Sequence, residues 1–163
     1  QVFTEGVHDP RRRVLDNQWV KALSRLRDSL YPCGRCHLEG FYDRALMKAG
    51  ITTLKCSFAR CGHKTQLPPR MRLNKETVVL LTPKTTLFPH HFGQTNDFSQ
   101  PVAKMVQHPR DPSKWGLKNL SQTNWVYEDE DGTKKDVPPG KSLVLRQKRK
   151  VQFSPSVTGL IHA

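Results

Sequence analysis

Cys33-Gly-Arg-Cys36 and Cys56-Ser-Phe-Ala-Arg-Cys61 contain the only cysteines of the chain. Each pair is spaced so that both thiolates can reach one ion, and two pairs complete a tetrahedral four-sulfur shell. The chemistry this implies is structural, because an ion enclosed by four protein sulfurs keeps no open position for water or substrate. The predicted ligands are therefore Cys33, Cys36, Cys56 and Cys61, and the predicted ion is Zn2+. Two disulfides in an exported chain, or an iron–sulfur cluster, are the competing uses of four cysteines. The tight pairing, with Gly34 and Gly62 inside or beside the pairs, favours metal knuckles. His37 and His63 adjoin the pairs, but four sulfurs already fill the shell.

Other reactive groupings are scarce. The chain has no Gly-rich phosphate loop, no Gly-x-Ser-x-Gly turn and no His-Glu-x-x-His helix, so no catalytic residue is assigned and no enzyme is expected. His90 and His91, with His108, suggest a second metal site only weakly. No carboxylate or cysteine stands at a diagnostic spacing, and neighbours on a strand face opposite sides. Ordinary loop or core histidines are expected there.

Charge supplies the other functional signal. With 27 Lys and Arg against 14 acids, the 163 residues carry a formal charge of +13. Such an excess attracts nucleic acid, anionic surfaces or acidic proteins without choosing among them. Lys134, Lys135, Lys141, Arg146, Lys148, Arg149 and Lys150 concentrate on the last predicted hairpins, where Arg can grip phosphate oxygens through two parallel bonds. A nucleic-acid backbone or a phosphorylated peptide would suit that surface. Trp115, Trp125 and Tyr127 could stack on bases, although aromatics in a turn-rich β domain are more often core. The acidic run Glu128-Asp129-Glu130-Asp131 before Gly132 reads as an exposed hairpin turn.

The elements that must position these groups follow from pattern. Residues 1–17 are a polar lead-in with Arg11-Arg12-Arg13. Asp16 or Asn17 can cap a helix over about 18–30, whose stripe is Trp19, Leu23, Leu26 and Leu30; Pro32 ends it. The stripe is expected to pack on the metal module or the second domain, with Trp19 as anchor. Phe41-Tyr42 and Ile51–Cys56 are predicted strands between the knuckles, giving the plan of a zinc ribbon in which metal replaces a core. Leu67-Pro68-Pro69 reads as a linker. After it come ten short extended runs: 71–73, 77–81, 86–88, 102–107, 116–120, 125–127, 135–137, 142–145, 151–153 and 159–161. Turn residues separate them, notably at Pro83-Lys84, Asp131-Gly132, Pro138-Pro139-Gly140 and Ser154-Pro155, which predicts a β-sandwich or barrel. Residues 94–100 have no assignment.

The stretch Val106–Ser121, then Trp125, Asp131-Gly132, Val137-Pro-Pro-Gly140 and Val151-x-Phe153, resembles the C-terminal region of bacterial eukaryotic-like serine/threonine kinases. Trp19-x-x-Ala22-Leu23-x-x-Leu26 followed by Pro32-Cys33-x-x-Cys36 resembles the join after their kinase lobe. In those proteins a kinase domain precedes a cysteine-paired ribbon and a β-rich module. The β part is further similar to forkhead-associated domains, sandwiches that bind phosphothreonine peptides. Asn119-Leu-Ser-Gln-Thr-Asn124 matches part of their Ser-x-x-Asn-Gly region, and Leu143, Leu145, Val151 and Phe153 follow their last strands. Trp125 stands where the family usually has Gly, and no Gly-Arg or Ser-x-x-His motif precedes residue 100. The resemblance implies Ser121 and Asn124 as phosphopeptide contacts, with Arg110 and Lys118 helping by charge, beside Arg146, Lys148 and Arg149 as anion contacts.

These readings give a mainly β chain. Residues 1–17 are a flexible lead-in, 18–67 a helix plus four-cysteine zinc ribbon, and 68–163 a forkhead-associated-like β-sandwich. The expected function is non-catalytic protein recognition, with or without phosphate, in a bacterial kinase signalling system whose catalytic domain is absent here. The alternative is nucleic-acid binding through ribbon and basic hairpins. No run approaches the roughly 18 apolar residues of a bilayer crossing and no signal-like N-terminus is seen, so a cytoplasmic chain without a membrane partner is expected.

Overall fold

The computed structural model describes residues 9, 11, 13–42, 45–46, 49–73, 77–93 and 97–162. Most of the expected lead-in, with Arg12 of its basic run, lies outside the described residues, as do 94–96 of the unassigned stretch. Helix α1 spans Asp16–Asp28. Two three-residue hairpins follow, β1 (Leu30–Pro32) with β2 (Glu39–Phe41) and β3 (Thr53–Lys55) with β4 (Lys64–Gln66). The remainder is β5 (Arg70–Arg72), β6 (Val78–Leu80), β7 (Thr86–Leu87), a 3-10 turn Pro89–Phe92, β8 (Ala103–His108), β9 (Asp111–Asn119), β10 (Trp125–Glu128), β11 (Lys134–Val137), β12 (Ser142–Val144), β13 (Lys150–Ser154) and β14 (Val157–His162).

Strands β11-β10-β13-β14-β5-β6 form a six-stranded sheet and β12-β9-β8-β7 a four-stranded one, with every pairing antiparallel. Alternation decides what each strand buries: Val151 and Phe153 point inward from β13 while Lys150 and Gln152 face water. Met71, Val79, Trp125 and Ile161 of one sheet and Leu87, Met105, Leu117 and Leu143 of the other belong to one buried cluster. Trp125 is fully buried with its ring edge-on to Phe153, centroids 4.9 Å apart, and Phe92 meets the same ring at 5.0 Å. Trp125 is thus core. β12, entered through the Pro138-Pro139-Gly140 turn, is an edge strand, where a preceding proline breaks no ladder.

Several elements depart from the sequence pattern. Helix α1 ends at Asp28, and Leu30–Pro32 is a strand, so Leu30 leaves the predicted stripe. Asp16 is the first helical residue rather than the cap; the Leu15 N–H is instead accepted by the Gln18 side chain at 2.9 Å. The stripe itself faces outward: Leu15, Trp19, Leu23 and Leu26 are 62%, 39%, 57% and 48% exposed, and no helix residue is buried. Trp19 is therefore no internal anchor, because α1 turns Val20, Ser24 and Asp28 inward and contacts β6 on that side. Leu67, read as linker, is buried with Tyr31, Tyr42 and Leu80, and the Leu81 N–H donates to Pro69 O at 2.6 Å. Among the described residues no helix is long and apolar enough to cross a membrane.

The end of the two-sheet core is organised by Asn119, which is fully buried at the close of β9. Its Nδ2 donates to Thr123 O and Val137 O, both at 2.8 Å. Its Oδ1 accepts from the Ser121 N–H at 2.9 Å and Ser121 Oγ at 2.7 Å. One side chain thus satisfies the β9–β10 loop and the end of β11. Asn119→Ala leaves several buried groups without partners and should lower unfolding stability by about 3 kcal/mol. A urea titration measures this; a loss under about 1 kcal/mol contradicts the role.

Candidate metal centre

Three-residue strands cannot hold a hairpin by ladder bonds alone. Each of the first two hairpins is instead tipped by one cysteine pair, and the two tips share a geometry. The Cys33 N–H donates to Leu38 O at 2.9 Å, and the Cys56 N–H to His63 O at 2.8 Å. In both, the residue after the second cysteine adopts a left-handed backbone: His37 at φ +59° and Gly62 at φ +57°. Glycine tolerates this freely and histidine less so. The longer second knuckle takes up its two extra residues in a turn closed by Cys61 N–H and Gly62 N–H donating to Phe58 O. The Gly34 N–H donates to Thr65 Oγ1 at 3.1 Å, joining one hairpin tip to the flank of the other.

This pairing brings the four sulfurs within 4.8 Å of one another. Cys33 Sγ lies 3.8 Å from Cys61 Sγ, and Cys36 Sγ lies 3.6 Å from Cys56 Sγ. A tetrahedral ion with metal–sulfur bonds of about 2.3 Å needs sulfur–sulfur edges of about 3.8 Å. A disulfide needs about 2.05 Å, and all four cysteines are free thiols. The residues fit a single structural ion of the zinc type. Among the described residues neither His37 nor His63 joins the cluster.

The electrostatics explain why a cation belongs there. Backbone N–H groups of Cys36 and Arg35 aim at Cys33 and pull its thiol down to about 5. At Cys56 the Phe58 N–H acts in the same sense, but burial and protons shared with Cys36, Cys33 and Cys61 outweigh it and push the thiol up to about 12. One thiolate forms readily, while Cys56 and Cys61 resist ionisation beside it, because like charges this close repel. A divalent cation removes the conflict and lets all four act as thiolates.

The histidines expected to be independent are gathered. His90 and His91 stand on the 3-10 turn, not on a strand, with ring centroids 3.8 Å apart. The carboxylate absent from their sequence neighbourhood arrives from Asp28, whose Oδ2 is 3.1 Å from His91 Nε2. Burial, with His91 beside it, holds the His90 imidazole down to about 4. His108 lies apart on β8, where its Nδ1 accepts from the Arg110 N–H. Asp28 carried no sequence signal beyond ending a helix.

The anion contacts suggested by sequence are spread out. Ser121 Oγ donates to Asn119 and accepts from Trp125 Nε1 at 3.2 Å, while Asn124 is exposed in the same loop. Lys118 is half-buried on β9, opposite Lys104 and Ser142. Arg110 sits beyond the other end of β9, roughly 30 Å along a nine-residue strand. Arg146, Lys148 and Arg149 follow β12 toward that same end, since Val144 pairs with Gly116. Arg146 Nη1 donates to Glu130 at 2.8 Å, and buried Arg149 donates to Asp129 and Val144 O at 3.0 Å each. Lys148 is exposed with φ +59°.

Removal of the ion is expected to unfold the hairpins selectively. Cys56→Ser, or exhaustive chelation, should raise amide hydrogen exchange across 30–41 and 53–66 to near-unfolded rates, because ligation and local folding share one free energy, about 10–16 kcal/mol in zinc-finger peptides. β8 and β9 should keep their protection. Unchanged protection in the hairpins after chelation contradicts the metal staple.

Compared with known proteins, the chain matches no family model, no curated protein and no solved structure.

Proposed function

We propose that this chain is a non-catalytic protein-recognition module, a zinc ribbon carried on a forkhead-associated-like β-sandwich, serving a serine/threonine kinase signalling system. The observation that carries the reading is the outward stripe of Leu15, Trp19, Leu23 and Leu26 on α1. A helix of 13 residues is marginal alone in water, and its stability normally comes from burying such a face. A contiguous apolar face left in solvent marks a contact surface for another protein. The four-sulfur shell supports a scaffold role, because it has no coordination position to offer a substrate.

Phosphate recognition has less support. The Ser121 hydroxyl is already engaged by Asn119 and Trp125, and Arg110, Arg146, Lys148 and Arg149 stand at the other end of β9, leaving only Lys118 of the named basic residues near it. Nucleic-acid binding rests on the +13 charge, but three of the basic side chains nearest the last hairpins are bonded to acids: Lys135 and Arg149 to Asp129, and Arg146 to Glu130.

Photo-crosslinkers placed separately at Leu23 and Asn124 distinguish the surfaces in cells. The expected result is a protein adduct from Leu23 that disappears when Leu15 and Leu26 are both changed to Asp. Adducts only from Asn124, abolished by phosphatase treatment, would shift recognition to the β9–β10 loop and overturn the helix reading.

A further inference from the structure

Going beyond recognition, we infer that Asp28, His90 and His91 form a second metal site, selective for a divalent first-row transition ion and sharing no residue with the cysteine centre. One donor atom from each of the three residues lies within 4.8 Å of the others. His91 is 1% exposed, and its Nε2 makes no hydrogen bond; neither does the buried Nδ1 of His90. Buried polar atoms are almost always satisfied, so two unpaired nitrogens on histidines clustered with a carboxylate call for a further partner. The partner that satisfies two imidazoles and a carboxylate together is a cation.

The spacing is compatible. Metal–nitrogen and metal–oxygen bonds of about 2.0–2.2 Å place neighbouring ligands about 2.8–3.6 Å apart between right-angle and tetrahedral arrangements, and His91 Nε2 to Asp28 Oδ2 is 3.1 Å. Close as it is, the same contact gives His91 Nε2 no hydrogen bond. The His91 ring is held in place from its far side, where the Phe88 N–H donates to Nδ1 at 2.8 Å and Phe88 O lies 3.1 Å from the same nitrogen.

Helix electrostatics point the same way. Asp28 is the last residue of α1, where the aligned peptide dipoles already present negative charge. A carboxylate there is unfavourable unless a cation accompanies it. Arg27 supplies part of that charge, with Nη2 at 3.4 Å from Asp28 Oδ1 and 3.3 Å from His90 Nε2. Its side chain is 47% exposed, so it can swing away when His90 turns to a metal. Phe88 and Phe98 flank His90, the latter with its ring centroid at 4.6 Å. On the solvent side, Arg27 and Asp28 line a cleft of about 720 Å³ between the first hairpin and the β6–β7 loop, with the two histidines behind it. Two nitrogens and one oxygen suit zinc, cobalt or nickel rather than calcium or magnesium, which prefer oxygen. The ion would pin the end of α1 to the two-sheet core across 62 residues of sequence, holding the exposed stripe in a fixed place.

The test is stoichiometry in the intact chain. Equilibrium dialysis against micromolar Zn2+ with elemental analysis should give two zinc per wild-type chain, and one in Asp28→Asn and in His91→Gln. Co2+ titration separates the centres: the cysteine site brings intense thiolate charge-transfer bands, and the second equivalent adds only weak ligand-field bands. The second equivalent should also raise the melting temperature of wild type but not of Asp28→Asn, a near-isosteric change that keeps the helix end. Cys56→Ser should lose the charge-transfer bands and keep the second site, so failure of the cysteine centre is read separately. One zinc per wild-type chain, or two retained in both variants, overturns the proposal.

Discussion

Four thiolates held within 4.8 Å cannot all be charged unless a cation joins them, and the first two hairpins have little else to hold them. Their strands are three residues long, and their inward side chains are few. Tyr31, Tyr42 and Leu67 form a small cluster with Leu80 of β6, so the little core there is shared with the neighbouring sheet. The ion and this cluster act at opposite ends of the hairpins, one at the tips and one at the base. A segment that would otherwise be too poor in apolar surface to fold is thereby given a fixed shape.

Helix α1 is positioned by the same economy. It buries no residue, and its C-terminal turn reaches the rest of the chain through Arg27 and Asp28, beside His90 and His91. Arg27 also lies over the rings of Phe88 and Phe98, at 5.9 and 5.5 Å. One fixed end suffices to define where a short rigid rod points. The face left outward is the apolar one, the reverse of what a helix does when the rest of its own chain covers it. The proposed recognition role rests on that reversal.

What could be read from sequence depended on whether the deciding contact was local. The alternation of Val151, Gln152 and Phe153, and the glycine and proline turns, announce the strands of the two-sheet core because strand and turn chemistry act over a few residues. The cysteine spacing announces the metal for the same reason. Leu30–Pro32 was misleading: Leu30 continues a helical stripe and Pro32 stops helices, yet the pull of Glu39–Phe41 makes the segment a strand. β9 begins at Asp111, well before the predicted Gly116, because pairing with β8 carries it through Pro112 despite that residue's usual effect. The amphipathic pattern of α1 says that one face is apolar but not what covers it. Asp28 and His91 meet across 63 positions, and no periodicity reports such a contact. Asn119 lay inside a recognised motif, but its burial depends on β11 and on the loop beyond it.

Charge behaves differently again, since the basic hairpins and the acidic turn were legible separately but not as partners. Asp129 accepts from Lys135 at 2.6 Å and from Arg149 at 3.0 Å, and hydrogen bonds from Lys135 and Glu130 hold its carboxyl below the usual range. Arg149 is nearly enclosed, with its guanidinium 4.6 Å over the Tyr127 ring. An incoming phosphate would have to break an enclosed pair and leave a carboxylate unpaired, which costs far more than displacing an exposed one. Arg146 and Glu130 form such an exposed pair and yield easily. Arg149 therefore belongs to the architecture of the sheet end. The remaining positive excess acts at longer range, as a field that favours the approach of any anionic surface before contact forms.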